Sequence, residues 1–200
     1  MNTIKITKAD LNEKNEYKKG NIGTWNNYED THVEIEVNLG WVKFTGLYVK
    51  GRIVAGAGSG IKAGSGIEAG SGIKAGSGIE AGSGIEAGWG IKAGWGIKAG
   101  WGIKAGSGIK AGWGIKAGSG IVSLYSDITA KLKIESNLKC TISAGIFSTR
   151  GKKEISAQEV IGTVIYGDVK LIPVETVEVV EELTMEEVCK LLGKTIKIKK

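Results

Sequence analysis

Proline, histidine and cysteine are scarce in this sequence, and each scarcity excludes a class of protein. The single proline, together with glycines that do not recur at every third position, excludes a collagen-like triple helix. Two cysteines without CxxC spacing, Cys140 and Cys189, indicate neither a disulfide framework nor a metal site. We expect both to be reduced core residues, and we expect no cofactor.

No apolar run reaches membrane-spanning length, and the first residues lack the apolar core of a signal peptide. We therefore expect a soluble protein without an export signal.

Glycine is abundant, at 33 of 200 residues, and most of it lies in a hexapeptide array. From Ile61 to Ile121 an isoleucine recurs at every sixth position, and each unit reads Ile-(Lys/Glu)-Ala-Gly-(Ser/Trp)-Gly. A short fixed period is typical of solenoids, in which each unit buries its apolar residue against the neighbouring units. The hydrophobic content of 42% is that of a chain that folds. The array therefore predicts a structural scaffold.

The six-residue period alone leaves two backbone conformations open. Six is divisible by two and by three, so the array fits β-strand alternation or a bundle of left-handed polyglycine-type helices. Residues 128–146 favour strands, because apolar or small side chains occupy every second position there without the glycines. We interpret them as degenerate final units of the same solenoid. The prediction is a mainly β protein, a β-solenoid of short strands with Ile and Ala inside and Lys or Glu outside.

The Gly-x-Gly corners carry a conformational expectation of their own. Glycines on both sides of the corner residue permit positive φ, which a tight bend between three-residue strands is expected to need. Whether one coil takes two hexads or three stays open at this stage.

The array resembles the left-handed β-helix of the hexapeptide-repeat acyltransferases, which also carry an aliphatic residue at every sixth position. The resemblance covers residues 53–121 and implies a β-helical fold. Those enzymes use a histidine base near the coils, whereas the single histidine here, His32, lies outside the array. No serine triad, paired carboxylates or metal-ligand cluster is discernible either. We therefore expect that the protein is not an enzyme.

Composition divides the chain into three predicted parts. Residues 1–52 are expected to form an N-terminal β cap, with a polar loop over residues 8–29, and residues 53–150 form the solenoid. Residues 151–200 are predicted to form a small C-terminal module. It would contain a β-hairpin around Tyr166-Gly167-Asp168 and a short helix that begins at Thr184 and ends at Gly193.

The array changes composition at Gly88, and this change is the main clue to function. Up to Ala87 the corner residue is always serine and the charged positions mix Lys with Glu. From Gly88 onward most corners are tryptophan and every charged position is lysine. The candidate partner-binding residues are accordingly Trp89, Trp95, Trp101, Trp113, Lys92, Lys98, Lys104, Lys110 and Lys116.

Two interpretations of these tryptophans stay open. The indoles either stack at aligned corners and stiffen the solenoid, or stand outside as a Trp/Lys-rich stripe that binds a partner. With a net charge of +6, candidate partners are an acidic protein, a protein–nucleic acid complex, a nucleic acid alone or a polyanionic glycan. No membrane partner is expected. The alternative function is a structural or adhesin-like spacer that forms homo-oligomers.

Two short segments indicate a biological setting. Residues 183–198 resemble the ends of small phage and prophage proteins of Gram-positive bacteria, and the Ala-Gly-Trp-Gly-Ile-Lys-Ala array is similar to proteins of mobile elements. The resemblance implies the cytoplasm of an infected bacterial host cell. In that setting a small binding protein is expected to act as a counter-defence inhibitor, for example of a CRISPR effector.

Overall fold

The computed structural model describes residues 1–136, 141–144, 146 and 153–173. These residues form short β-strands and one 3-10 helix, Lys8–Asp10. The strands are β1 Asn2–Ile6, β2 Thr31–Ile35, β3 Gly40–Phe44, β4 Leu47–Val49, β5 Ile53–Ala55, β6 Ser59–Ala63, β7 Ile67–Ala69, β8 Ile73–Ala75, β9 Ile79–Ala81, β10 Ile85–Ala87, β11 Ile91–Ala93, β12 Ile97–Ala99, β13 Ile103–Ala105, β14 Ile109–Ala111, β15 Gly114–Ala117, β16 Ile121–Ser123, β17 Ile128–Ala130, β18 Lys133–Ser136, β19 Thr141–Ala144, β20 Glu154–Ala157, β21 Glu159–Ile161, β22 Thr163–Tyr166 and β23 Asp168–Leu171.

The strands form three parallel sheets that surround one core. Sheet I has the order β1-β2-β5-β8-β11-β14-β17-β20-β23. Sheet II has the order β3-β6-β9-β12-β15-β18-β21, and sheet III the order β4-β7-β10-β13-β16-β19-β22. Successive strands of the array therefore belong to different sheets, and every third strand returns to the same sheet. The predicted β-solenoid is confirmed.

One coil takes three hexads. Ile61 pairs with Ile79, and Ile79 pairs with Ile97, so equivalent positions recur after 18 residues. Neighbouring parallel strands lie about 4.8 Å apart, which is the rise from one coil to the next. This register settles the number of hexads per coil that the sequence left open.

The core is a continuous stack of isoleucine and alanine. The array isoleucines have at most 1% of their surface exposed, and the alanines that follow them at most 5%. Each buried isoleucine contributes about 1.5–3 kcal/mol, so a single hexad cannot hold its shape alone but a stack of coils can. The degenerate units after the array extend this core with Ile128, Ile134 and Ile142.

The corner glycines serve a different purpose from the expected one. None of the glycines from Gly60 to Gly120 has φ in the left-handed region, so the expectation of positive φ is wrong. From Gly70 onward the first glycine of each array corner is needed because successive coils approach closely there. A Cβ on Gly82 would lie 2.0 Å from the carbonyl oxygen of Gly64 in the preceding coil. The second glycine is less crowded, since a Cβ on Gly84 would lie 3.4 Å from the nearest oxygen.

The N-terminal end of the solenoid is covered by the segment between β1 and β2. Its amide groups hydrogen-bond to the edge strands of sheets II and III, as from Tyr17 N–H to the Lys43 carbonyl at 2.9 Å and from Ile22 N–H to the Gly46 carbonyl at 3.2 Å. The side chains of Leu11, Tyr17 and Ile22 are buried. The predicted polar loop is therefore a lid whose apolar residues close the core, and it protects strand edges that would otherwise pair with other chains.

The sheets run through both predicted domain boundaries. The strands β1 to β4 and β20 to β23 lie in the same three sheets as the array. The predicted C-terminal hairpin is wrong, because β22 belongs to sheet III and β23 to sheet I, and each pairs in parallel with the preceding coil. A strand that turns a solenoid corner resembles a hairpin in sequence, since both show two alternating runs around a short turn. The predicted helix from Thr184 to Gly193 lies outside the described residues.

The two glycines that flank Ser83 allow a matched test of coil stacking. We expect Gly82→Ala to destabilise the protein by about 1–3 kcal/mol, because the new methyl group overlaps the Gly64 carbonyl. Gly84→Ala is expected to change the stability by about 0.5 kcal/mol or less. Urea denaturation followed by circular dichroism measures both. Equal losses in the two variants would contradict the close approach.

The core and the corners are expected to respond very differently to substitution. Ile97→Ala leaves a cavity between Ile79 and Ile115 and should cost about 2–5 kcal/mol. Trp101→Ser removes an exposed side chain and places the residue found at the same corner of the preceding coil, Ser83, so its effect should stay within about 0.5 kcal/mol. Thermal denaturation checks both values. A larger loss for the Trp101 variant than for the Ile97 variant would mean that indoles, not isoleucines, hold the coils together.

Candidate functional site

The four array tryptophans stand outside the core but do not share one face. The 18-residue coil places Trp89 at the corner from sheet III to sheet I, and Trp101 at the corner from sheet II to sheet III. Trp95 and Trp113 lie at the corner from sheet I to sheet II. All four are at least half exposed. The expectation of one continuous Trp/Lys stripe is therefore wrong, because consecutive hexads occupy three different sides.

Two of the four tryptophans stack on each other, and the other two stand alone in the described part of the chain. Trp95 and Trp113 are one coil apart, with ring centroids 5.8 Å apart and planes inclined by 12°, so these two indoles stack. Trp89 and Trp101 form no ring pair with any described aromatic residue. Stacking accounts for Trp95 and Trp113, and leaves Trp89 and Trp101 without an aromatic contact among the described residues.

The outward glutamates of sheet II are each paired with two lysines. Glu80 lies between two lysines, with its carboxylate 3.2 Å from Lys62 Nζ and 3.9 Å from Lys98 Nζ. Glu135 lies 2.8 Å from Lys116 Nζ and 3.3 Å from Lys133 Nζ. The hydrogen bond from Lys116, and then that from Lys133, lower the pKa of the Glu135 carboxyl. The carboxylate is therefore charged at neutral pH and offsets the candidate residue Lys116.

Sheet III carries more acid than base. Its outward column contains Glu68, Glu86 and Lys104 in register. Lys104 Nζ lies 2.6 Å from the Glu86 carboxylate. The Tyr28 hydroxyl donates a hydrogen bond to Glu68, and burial followed by this bond raises the pKa of Tyr28. The candidate residues Trp101 and Lys104 thus lie beside carboxylates.

Sheet I carries three lysines in register with no acid between them. Lys74 pairs with Lys92, and Lys92 pairs with Lys110, so their Cα atoms follow one another at the coil rise of about 4.8 Å. All three side chains are exposed. Among the described residues, no carboxylate lies within ion-pair distance of any of them. Like charges stacked directly against each other are destabilising. We call these three residues the lysine ladder.

A groove runs along the lysine ladder. Its floor is the column formed by the second corner glycines, Gly72, Gly90 and Gly108, which present no side chain. The ladder forms one wall, and Trp89 stands on the other. The groove encloses about 740 Å³, and its glycine floor spans three coils. It is therefore long, narrow and basic, with one exposed indole near its middle.

The two ends of the groove interrupt the glycine floor. At the N-terminal end Arg52 takes the place of a glycine, and its guanidinium lies 2.9 Å from the Glu34 carboxylate. His32 lies one coil further, and its Nδ1 accepts a hydrogen bond from the Arg52 amide at 3.0 Å. At the other end Asp127 takes the same place, with its carbonyl bonded to the Ile109 amide. Cationic and anionic side chains thus mark opposite ends.

The corresponding grooves on the other two sides are smaller because aromatic side chains cover part of them. On sheet II the indole of Trp41 lies over Gly60 and Gly78, and the remaining groove encloses about 410 Å³. On sheet III the ring of Tyr48 lies against Gly66, and about 340 Å³ remain. The groove of sheet I therefore has the largest volume of the three, and among the described residues its ladder lysines have no acidic partner.

The structure divides the nine candidate residues into three groups. It brings Trp89, Lys92 and Lys110 together on sheet I, and Trp95, Trp113, Lys98 and Lys116 on sheet II, and it leaves Trp101 and Lys104 on sheet III. Sequence analysis missed Lys74, because this residue precedes the composition change at Gly88. Counting in steps of 18 residues would have found it.

Two kinds of site are absent from the part of the chain that is described: metal-ligand clusters and membrane-spanning helices. No three His, Cys, Asp or Glu side chains lie close enough there to hold a metal ion. No helix among the described residues is long and apolar enough to span a membrane. Both cysteines, Cys140 and Cys189, lie outside the described residues.

Comparisons with known proteins add no relative to this picture. No family model, no curated protein and no solved structure matches the chain.

Proposed function

We propose that this protein is a non-enzymatic binding protein, and that sheet I engages an anionic macromolecular partner through its groove. The observation that carries the proposal is the lysine ladder without acidic partners. The array lysines of sheets II and III lie beside Glu80, Glu86 or Glu135, whereas Lys74, Lys92 and Lys110 have no acidic partner among the described residues.

The cost of the ladder supports a binding role. Three lysines on neighbouring strands about 4.8 Å apart repel one another, and glutamate at the middle position would relieve the repulsion. The repeat accepts glutamate at this place, as Glu68, Glu80 and Glu86 show. A partner with negative charges at similar spacing would also relieve the repulsion, and the ladder would speed its association through long-range attraction.

The shape of the groove supports a linear partner. The glycine floor of the groove follows the solenoid axis over three coils, with the lysine ladder on one side and Trp89 on the other. An extended acidic polymer, such as an acidic protein segment or a nucleic acid strand, matches this shape. A role as a phage-encoded counter-defence inhibitor in the bacterial cytoplasm stays a prediction from the sequence resemblance.

One observation favours the alternative of a homo-oligomeric spacer. Trp95 and Trp113 remain more than half exposed although they stack, and Trp41 lies along the same edge. A second copy of the chain could cover this edge. This alternative predicts a stable oligomer that does not respond to charge changes on sheet I, and light scattering coupled to gel filtration measures the mass directly.

The proposal predicts that the position of a charge reversal matters more than the change in net charge. Lys92→Glu interrupts the ladder, and we expect its elution from a heparin column at clearly lower salt than the wild type. Lys98→Glu changes the net charge equally but lies beside Glu80 on sheet II, so its elution should shift less. Circular dichroism verifies that both variants fold. Equal shifts would mean that retention follows net charge alone, and the proposal would then fail.

A further inference from the structure

We infer that the groove of sheet I binds single-stranded nucleic acid, with a base stacked on Trp89 and phosphates paired with Lys74, Lys92 and Lys110. The inference deepens the proposed function and rests on it, since it names the chemical class of the anionic partner. It depends on three features of the groove: the exposed indole, the narrow glycine floor and the number of free cations.

Trp89 is the feature that distinguishes a nucleic acid from an acidic peptide. Lysines attract carboxylates and phosphates alike, whereas a planar indole gains most from a planar base. Trp89 is 70% exposed, and its own corner column has Ser71 before it and Ser107 after it, so no aromatic ring of that column covers either of its faces. Trp89 lies in the same coil as Lys92, the middle residue of the ladder. The indole of Trp89, on which a base would stack, is thus at the level of the middle lysine of the ladder.

The width of the groove favours a single strand. Trp89 and Lys92 are three residues apart, about 10 Å along the chain, and between them lie Gly90, without a side chain, and Ile91, whose side chain is buried in the core. A strand lying on this floor presents bases to one wall and phosphates to the other. In a duplex the base faces are covered by their stacked neighbours, so an indole cannot reach them. Only an unpaired base can therefore stack on the indole of Trp89.

The ends of the groove limit the number of phosphates. Arg52 is paired with Glu34, and Asp127 at the opposite end would repel a phosphate. Among the described lysines and arginines that line the groove, the three ladder lysines are therefore the ones left to pair with a strand. Each phosphate neutralised in a single strand contributes about 0.7 to the slope of log binding constant against log salt. Three phosphates give an expected slope of about −2.

The inference predicts a specific role for one tryptophan. Fluorescence anisotropy with a labelled oligothymidylate of about ten nucleotides measures the affinity, at a length within the usual site sizes of single-strand binders. We expect Trp89→Ser to weaken binding by about 5- to 100-fold, since the stacked base is lost. Trp101→Ser is the matched control, because Trp101 is 68% exposed, makes no ring pair and lies on the acidic side. It should leave the affinity unchanged.

Further variants separate stacking from charge and from folding. Trp89→Phe keeps an aromatic platform and should retain much of the affinity lost in Trp89→Ser. Lys92→Ala should lower the salt slope by about 0.7, whereas Lys98→Ala should leave it unchanged. A hairpin duplex should bind more weakly than the single strand. Oligouridylate in place of oligothymidylate tells whether RNA or DNA is preferred.

The outcomes distinguish failure of this inference from failure of the proposed function. If polyglutamate binds as tightly as oligothymidylate, and Trp89→Ser weakens neither, the groove holds an acidic protein segment and the nucleic-acid inference is overturned. The proposed function then survives. If neither polymer binds, and Lys92→Glu has no effect on heparin retention, both fail. Loss of oligothymidylate binding in Trp89→Ser, with retention in Trp101→Ser, supports both.

Discussion

The hydrogen bonding of each coil to the next, at the spacing of neighbouring β-strands, is the constraint on which the rest of the structure depends. Backbone bonds connect the corners as well as the strands, for example from Gly82 N–H to the Ala63 carbonyl at 3.0 Å. At about 4.8 Å this stacking leaves no space for a Cβ above the Gly64 carbonyl. The array is therefore rich in glycine because its backbone is crowded, and not because its turns need left-handed residues.

The same stacking determines which side chains become neighbours. Residues six apart in sequence lie on different sides of the solenoid, and residues 18 apart lie in contact. The lysines that follow Gly88 are uniform in sequence, yet in space they are sorted into a free ladder on sheet I and ion pairs on sheets II and III. The run of lysines after Gly88 therefore gives the three sheets different charge environments.

The second corner glycine gives each side of the solenoid a groove, and side chains from elsewhere decide which groove stays open. Trp41 and Tyr48 cover the N-terminal parts of two grooves. The third keeps its full length, and its lysines have no acidic neighbours among the described residues. This combination of space and unbalanced charge is what supports a binding role for sheet I, and Trp89 at its edge supports a nucleic acid as the partner.

The sequence by itself determined the solenoid, the inward isoleucine and alanine and the outward charges. These follow from the six-residue period together with the alternation in residues 128–146, because a strand alternates its side chains wherever it lies. The tertiary structure alone decided the number of hexads per coil and therefore the partners of each charge. It placed Trp89 and Trp101 on different sides of the solenoid and paired Lys74 with Lys92 in one sheet. Contacts between coils depend on the number of residues in one coil, which no single hexad specifies. It also turned the expected hairpin around Gly167 into a corner, because parallel pairing with the preceding coil continued past the array.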